Sequence, residues 1–327
     1  MAKTALITGI TGQDGSYLAE FLLKKKYKVH GIVRRVASED PTHRLWRIKH
    51  ILKKIKLHNS SVESYSSLVR VIQKIKPDEI YHLGALSYVA YSFDDEFSTI
   101  NTNINGTHYV LSAIKDFSPK TKFYFAGSSE MFGKVREIPQ TEKTPFYPRS
   151  TYGISKVAGY DLTRHFREAY NLYCCSGILF NHESPRRGFE FVTRKITHSV
   201  ARIKFGLQKK VKLGNLNAKR DWGHAEDYIR AMWLMLQKKK PEDFVIGTGT
   251  QYSVKDFAKL AFAEAGLDYK KYVVVDNKLY RPSEVDSLLA NSRKARKILN
   301  WKPKYSFKKL VQDMVKEDLK FVEKEGY

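Results

Sequence analysis

A tyrosine and a lysine four positions apart, Tyr152 and Lys156, form the pair in this chain with the clearest capacity for proton transfer. On a helix both side chains lie on one face, where the ammonium favours the phenolate form of the tyrosine. An unperturbed phenol, with a pKa of about 10, is a poor base at neutral pH, so the chemistry requires a lowered pKa. Taken alone, the spacing favours a half-buried tyrosine beside a solvated lysine.

A second candidate group follows the apolar run 123–126, which is typical of a buried strand. The next residues include Ser128, Ser129 and Glu130. A parallel doubly wound sheet binds its ligands at the carboxyl ends of its strands, so these side chains are well placed for acid–base chemistry. The carboxylate could equally cap a helix or pair with a cation, and the spacing leaves both interpretations open.

Near the start of the chain, a strand pattern at residues 4–8 leads into Gly9, Gly12 and Gly15, and then into a helical repeat of apolar residues. Gly9 allows a tight turn, Gly12 lets backbone N–H groups approach a pyrophosphate, and Gly15 permits close packing of the helix. Strand, glycine turn and helix in this order favour dinucleotide binding over a merely structural turn.

The second strand pattern, residues 28–33, ends at Arg34 and Arg35. A site specific for NAD places an acidic residue here, whereas two guanidinium groups suit the 2′-phosphate of NADP. We therefore predict NADP. The alternative is that the arginines serve a subunit contact or a solvated loop.

Alternating strand and helix patterns run through the first half of the chain and predict an α/β fold with a Rossmann-like, doubly wound parallel sheet. We place the dinucleotide-binding domain at residues 1–180, including the helix of Tyr152 and Lys156. We assign residues 181–327 to a smaller C-terminal substrate-binding α/β part, from which the chain can cross back to the first domain. The basic amphipathic segment 39–56 is either a surface for acidic partners or membrane or, as we favour, a helix covering the sheet edge or a neighbouring subunit.

The formal net charge of +24 attracts anions, but the lysines are dispersed along the chain, which argues for solvated faces and against nucleic-acid binding. The only cysteines, Cys174 and Cys175, are adjacent in a strand pattern and cannot form an ordinary disulfide. We predict a reduced cytoplasmic protein with no metal and no membrane span.

Longer motifs carry a family resemblance over essentially the whole chain. These are residues 11–20 (TGQDGSYLAE), 145–150 (PFYPRS), 181–188 (NHESPRRG) and 220–224 (RDWGH). Together with Glu130, Tyr152 and Lys156, they resemble the GDP-mannose 4,6-dehydratases of the extended short-chain dehydrogenase/reductase family.

The resemblance implies roles for individual residues. Tyr152 would be the base for the sugar 4-hydroxyl, and Lys156, together with the positively charged nicotinamide, would lower its pKa. Glu130 would be the acid–base at C5 and C6, and Ser128 stands where the family commonly has Thr. The implied NADP contacts are Gly9, Thr11, Gly12, Gln13, Asp14, Gly15, Arg34, Arg35, Leu83, Gly84, Ala85, Ser87, Tyr152, Lys156, His182 and Arg187. The implied GDP-sugar contacts are Ser87, Ser128, Glu130, Asn181, Lys195, Arg220, Arg281 and Glu284.

The implied reaction oxidises C4 of GDP-mannose, eliminates water across C5 and C6, and reduces C6, in a homodimer or homotetramer. A related substrate such as GDP-manno-heptose, or a 4-reductase or epimerase of the same family, remains an alternative. Glu130 argues against pure 4-reduction, which needs no acid–base at C5 and C6. One departure concerns residues 60–64 (SSVES), where the family has Gly-Asp-Leu-x-Asp, so the adenine contact stays open.

Overall fold

Fourteen short strands occur in the residues that the computed structural model describes, which are 2–34, 44–280, 285 and 287–325. In chain order they are β1 (Thr4–Thr8), β2 (Lys28–Val33), β3 (Lys56–Asn59), β4 (Glu79–His82), β5 (Lys122–Ser128), β6 (Cys174–Leu179), β7 (His182–Glu183), β8 (Val211–Leu213), β9 (Lys219–Arg220), β10 (Gly223–His224), β11 (Phe244–Ile246), β12 (Tyr252–Ser253), β13 (Val273–Val275) and β14 (Ser287–Leu288). Seven of them form one sheet in the order β11-β6-β5-β4-β1-β2-β3, and every pairing in it is parallel. The predicted doubly wound parallel sheet is confirmed.

The α-helices of the described chain cover both faces of this sheet and build the C-terminal part. They are α1 (Gln13–Lys24), α2 (Tyr65–Ile75), α3 (Tyr91–Asp94), α4 (Glu96–Ile100), α5 (Gly106–Phe117), α6 (Thr151–Ala169), α7 (Val192–Lys204), α8 (Ala225–Leu236), α9 (Val254–Glu264), α10 (Tyr269–Tyr272), α11 (Arg293–Leu299) and α12 (Phe307–Glu325). One core contains residues of α1, α8 and α11, and a second contains residues of α2, α5 and α6.

Alternation along the strands separates these two cores. In β5, Tyr124 belongs to the first core while Phe123 and Phe125 belong to the second. In β6, the neighbours Cys174 and Cys175 likewise lie in different cores, and both are buried free thiols. Successive residues of a strand point to opposite faces, so the prediction that these cysteines cannot pair with each other is confirmed.

A third core, built from α7, α9 and α12, holds the C-terminal part together. The chain nevertheless returns to the main sheet, because β11 pairs with β6 at its edge and α8 contributes to the first core. The domain division at residue 180 stays a prediction, and the return of β11 agrees with a chain crossing back.

The described part of the basic segment contains a 3₁₀-helix, Lys49–Lys54, where we expected an amphipathic α-helix. Ile48, Ile51 and Ile55 are buried in the first core beside α1 and β2. Residues 48–55 therefore pack against the sheet and α1, while the preferred interpretation, a helix that covers the sheet edge or a neighbouring subunit, stays a prediction. Within the part of the chain that the structure describes, no helix is both long enough and apolar enough to cross a membrane.

Several histidines are held in their neutral form. Burial is the first cause in each case, and it lowers the pKa of His82 to about 3 and the pKa values of His30 and His198 to about 4. Unfolding returns each group to an ordinary pKa near 6.5, so the unfolded chain binds these protons first as the pH falls.

We therefore expect the free energy of unfolding to decline as the pH falls from about 6.5 towards about 4, by a few kcal/mol at most. Asp318 opposes this trend, because burial raises the pKa of its carboxyl to about 6. Urea unfolding at pH values near 7 and 5 measures the difference, and His82→Asn should show a shallower decline. Equal or greater stability at the lower pH would contradict the expectation.

Candidate active site

A cleft of about 390 Å³ opens at the carboxyl edge of the sheet, between β1 and β4 and their neighbours, and a second cavity of about 200 Å³ adjoins it. The two cavities share Tyr88, Glu130, Asn181 and Phe191. The predicted residues that line the first are Gly9, Thr11, Gly12, Gln13, Asp14, Gly15, Arg34, Leu83, Gly84, Ala85, Ser87, Ser128, Glu130, Tyr152, Lys156, Asn181, His182 and Arg187. Lys195 and Arg220 line the second. Arg35, Arg281 and Glu284 lie outside the described residues.

The glycine turn has the geometry that its spacing predicts. Gly9 has φ +72°, a conformation that side chains disfavour, and a Cβ on Gly15 would lie 2.3 Å from the Gly9 carbonyl oxygen. The N–H of Gly12, the residue that precedes α1, donates to that same oxygen. This close approach leaves the first turn of α1 facing the cleft, as an anion site requires.

An ion pair connects this turn to a loop far along the chain. His182 donates from Nε2 to Asp14 Oδ2 over 2.7 Å and from Nδ1 to the Phe180 carbonyl over 2.8 Å. Both nitrogens face acceptors, so the ring is an imidazolium. Burial opposes the charge, but the carboxylate of Asp14 outweighs it and raises the pKa of His182. The pair fixes the cleft-facing turn against the loop that begins the C-terminal part.

Tyr152 and Lys156 lie in the first turns of α6, where Ser150 caps the helix by accepting from the Gly153 N–H. Both side chains are buried, with exposures of 8% and 5%. Lys156 Nζ donates to the Ala126 carbonyl over 2.9 Å and lies 5.8 Å from the centre of the Tyr152 ring. The helix thus brings the pair together, but the ammonium is directed at the end of β5.

Burial has the largest effect on the proton affinities of this pair. Burial raises the pKa of Tyr152 to about 12, while the hydrogen bond to Ser128 works in the opposite direction. Burial also lowers the pKa of Lys156 to about 8. The expected lowering of the Tyr152 pKa, by Lys156 together with a positively charged nicotinamide, stays a prediction, and it must overcome this loss of solvent.

Ser128 and Glu130 stand at the end of β5, as predicted. Ser128 accepts from the Glu130 N–H over 3.2 Å and so caps the 3₁₀ turn Ser129–Met131; Glu130 is not the cap. The Glu130 side chain is only 8% exposed and borders both cavities, and its charge raises the pKa of Tyr152. A Cβ on Gly153 would lie 2.8 Å from the Glu130 carbonyl oxygen, so a glycine at this position lets the two candidate catalytic segments touch.

Sequence reasoning missed other residues of the first cleft, among them Arg44, Ser60, Val62 and Thr102. Arg44 Nη1 donates to the Arg34 carbonyl over 2.9 Å, which places a second guanidinium beside the end of β2. The basic run that begins at Arg44 was the available signal. Among the described residues, no group of three or more His, Cys, Asp or Glu side chains is arranged to hold a metal ion.

A Rossmann-type sheet with Tyr152 and Lys156 on the helix after β5 defines the class of extended short-chain dehydrogenases/reductases. Within this class, a sequence model of the GDP-mannose 4,6 dehydratase family matches residues 6–314, and the chain belongs to that family. It is 51% identical to GDP-mannose 4,6 dehydratase 1 of Arabidopsis thaliana, over 99% of this chain and 91% of the relative. It is 50% identical to the Homo sapiens GDP-mannose 4,6 dehydratase, over 98% of this chain and 92% of the relative.

Solved structures share the fold at lower identity. UDP-glucose 4-epimerase of Thermotoga maritima, solved with UDP-glucose, superposes with a TM-score of 0.86 at 25% identity, over 98% of this chain and 99% of that one. dTDP-glucose 4,6-dehydratase of Bacillus anthracis, solved with NAD, gives 0.84 at 23%, over 98% of both chains. The RMD protein of Pseudomonas aeruginosa, solved with NADPH, gives 0.81 at 21%, over 98% and 100%.

Proposed function

We propose that this protein dehydrates GDP-mannose to GDP-4-keto-6-deoxymannose. The observation that carries the proposal is the position of Glu130, a buried carboxylate at the boundary of the two cavities, beside Tyr152 and Ser128. Pure 4-reduction needs no acid–base group there. The relatives named GDP-mannose 4,6 dehydratase support the same reaction, because they are about 50% identical to this chain over nearly its whole length.

The side chains present can perform the proton transfers of this reaction. Tyr152 takes the proton of the C4 hydroxyl as C4 becomes a ketone, and the ketone acidifies the proton on C5. Glu130 removes that C5 proton and delivers it to the departing C6 hydroxyl, which leaves as water. A nicotinamide bound in the cleft would supply reversible two-electron oxidation and reduction of the sugar, taking hydride from C4 and returning it to C6, so no external oxidant is consumed. As C6 is reduced, a proton returns to C5 and completes the reaction.

The second cavity suits the nucleotide diphosphate. Lys195 and Arg220 line it, and Arg220 is only 6% exposed. A guanidinium and an ammonium facing one cavity favour phosphate oxygens. We therefore assign this cavity to the GDP group and the boundary at Glu130 to the hexose.

The test incubates purified protein, without added cofactor, with GDP-mannose and separately with GDP-manno-heptose, followed by mass spectrometry. We expect GDP-mannose to lose the mass of one water. Loss of water from the heptose alone would move the assignment to a related sugar, and loss from neither would refute the proposal. Omitting cofactor also shows whether it is regenerated at each turnover.

The coenzyme is, in our proposal, NADP. Relatives of this fold bind either NAD or NADPH, and here Arg34 and Arg44 line the cleft at the end of β2. Neither arginine belongs to the glycine turn, and both guanidinium groups suit a phosphate on the adenosine ribose. No acidic residue of the described chain lines the cleft at this end of β2.

We expect Arg34→Ala to weaken NADP⁺ binding by about tenfold or more, because a charge-assisted hydrogen bond to phosphate contributes about 1.5–3 kcal/mol. NAD⁺ binding should change by no more than about twofold. Fluorescence titration measures both, and Arg70→Ala, an exposed arginine of α2 outside the cleft, is the control. Equal losses for the two coenzymes would contradict the assignment.

The chain also presents apolar side chains for a subunit contact. Phe97 of α4 is 89% exposed, Ile154 of α6 is 52% exposed and Ile100 is 41% exposed. Exposed large apolar residues on neighbouring helices favour association. We propose a homodimer or homotetramer that uses this face. Light scattering should show an oligomer that Phe97→Asp dissociates, and a monomeric wild-type protein would exclude it.

A further inference from the structure

A chain of buried polar groups runs beneath the cleft, and the reaction described above uses none of them. Its centre is His82, the last residue of β4, at 3% exposure. Nδ1 of His82 lies 2.9 Å from Thr8 Oγ1, and Nε2 lies 3.2 Å from Thr107 Oγ1. One imidazole thus joins the end of β1 to helix α5.

The hydrogen-bond partners of the His82 ring determine which of its nitrogens carries the proton. Thr107 Oγ1 donates to the Asn103 carbonyl over 2.6 Å, so it can only accept from His82, and Nε2 carries the proton. Thr8 Oγ1 accepts from the N–H groups of Leu83 and Gly84, so its own hydrogen goes to Nδ1. Burial, with a smaller contribution from Lys156, lowers the pKa of His82 to about 3. The ring is neutral, and the polar side-chain atoms of His82, Thr8 and Thr107 each have a hydrogen-bond partner.

From Thr107 the chain continues to the catalytic helix. Asn103 lies in a π-helical turn, Asn101–Asn105, a distortion that often accompanies functional sites. Its amide accepts from the Leu86 N–H and donates to the Leu86 carbonyl and to Ser155 Oγ. Ser155 in turn donates to the carbonyl of Tyr152 over 2.8 Å. The amide therefore touches both the loop 83–87, which lines the cleft, and the turn of α6 that carries Tyr152.

We propose that His82 is a positioning residue for the dehydration reaction, holding the loop 83–87 through Thr8 and the Tyr152 turn through Thr107 and Asn103. An imidazole suits this position because one end accepts and the opposite end donates, so a single side chain can satisfy hydroxyls on two different elements. The inference rests on the proposed function, since it concerns the alignment of Tyr152 with the sugar 4-hydroxyl.

The test compares Thr107→Val, which removes the acceptor for His82, with Thr107→Ser, which keeps it. We expect Thr107→Val to lower kcat for GDP-mannose by about tenfold to a hundredfold, with KM changed by no more than about twofold, because the geometry of Tyr152 is altered and sugar contacts are not. Thr107→Ser should restore kcat.

A matched control is Thr163→Val. Thr163 is also fully buried and donates to the carbonyl four residues earlier, on Gly159, over 2.7 Å, but the hydrogen-bond partners of His82 are Thr8 and Thr107. Its kcat should stay near that of the wild type. The proposal is overturned if Thr107→Val leaves kcat within about twofold of the wild type, or if Thr163→Val loses as much.

Two measurements do not depend on turnover or on the proposed substrate. ¹⁵N NMR of histidine-labelled wild-type protein should show His82 as the neutral Nε2–H tautomer at pH 6, and an imidazolium or Nδ1–H tautomer would refute the network. Hydrogen exchange of the amides in residues 83–87 should accelerate in Thr107→Val and not in Thr163→Val. Failure of wild-type dehydration would remove the proposed function while leaving these two outcomes decisive for the network.

Discussion

Glu130→Gln is expected to stop the elimination of water while C4 of the sugar is still oxidised. Glutamine has nearly the same shape as the carboxylate but cannot accept the C5 proton, and a positioned general acid–base contributes about 10²- to 10⁴-fold in rate. Glu130 is buried at the boundary of the two cavities, so no solvent carboxylate can replace it. We expect kcat for dehydration to fall by about that factor.

The diagnostic result is the accumulation of the products of the first half-reaction. GDP-4-ketomannose and the reduced nicotinamide should build up to about one equivalent per site, as seen by mass spectrometry and absorbance. Glu168→Gln, an exposed carboxylate on α6, is the control for a change of charge on the catalytic helix. Unchanged turnover in Glu130→Gln would remove Glu130 from the elimination step, and loss of sugar oxidation as well would place it in the first half-reaction instead.

Local sequence order was sufficient for the parts of the site that depend on neighbouring residues. The glycine turn and the helical pair Tyr152 and Lys156 each lie within one strand–helix or helical segment, so spacing and residue type determine their geometry. The direction in which the Lys156 ammonium points could not be predicted from local sequence order. It bonds to Ala126 on β5, and that contact depends on how α6 packs against the sheet.

Contacts between residues far apart in the sequence, and the extent of burial, explain the features of the site that the sequence did not predict. Asp14 and His182 stand 168 positions apart, and no local pattern indicates their ion pair. The pKa of Tyr152 depends on how much solvent the fold removes from the phenol, which composition does not reveal. Asn103 lies in a π-helical turn, and this turn depends on hydrogen bonds to residues far along the chain, such as Leu86 and Ser155.

Tyr152→Phe should abolish the first half-reaction, and with it every later step. The substitution keeps the buried ring in place between α6 and the cleft but removes the phenol oxygen that takes the C4 proton in the proposed reaction. We expect kcat to fall by about 10²- to 10⁴-fold or more, with neither ketone nor reduced nicotinamide accumulating. This outcome differs from that of Glu130→Gln, where both accumulate.

The pH dependence of sugar oxidation distinguishes a catalytic phenol from a structural one. Burial raises the pKa of Tyr152 to about 12, so the phenolate is the minor form near neutrality and the wild-type rate should rise with pH. The residual rate of Tyr152→Phe should be independent of pH. Tyr160 is a matched control, because it is a buried tyrosine on the same helix whose pKa burial also raises to about 12. Tyr160→Phe should keep the wild-type profile, and a pH-dependent rise that survives in Tyr152→Phe would assign the base to another group.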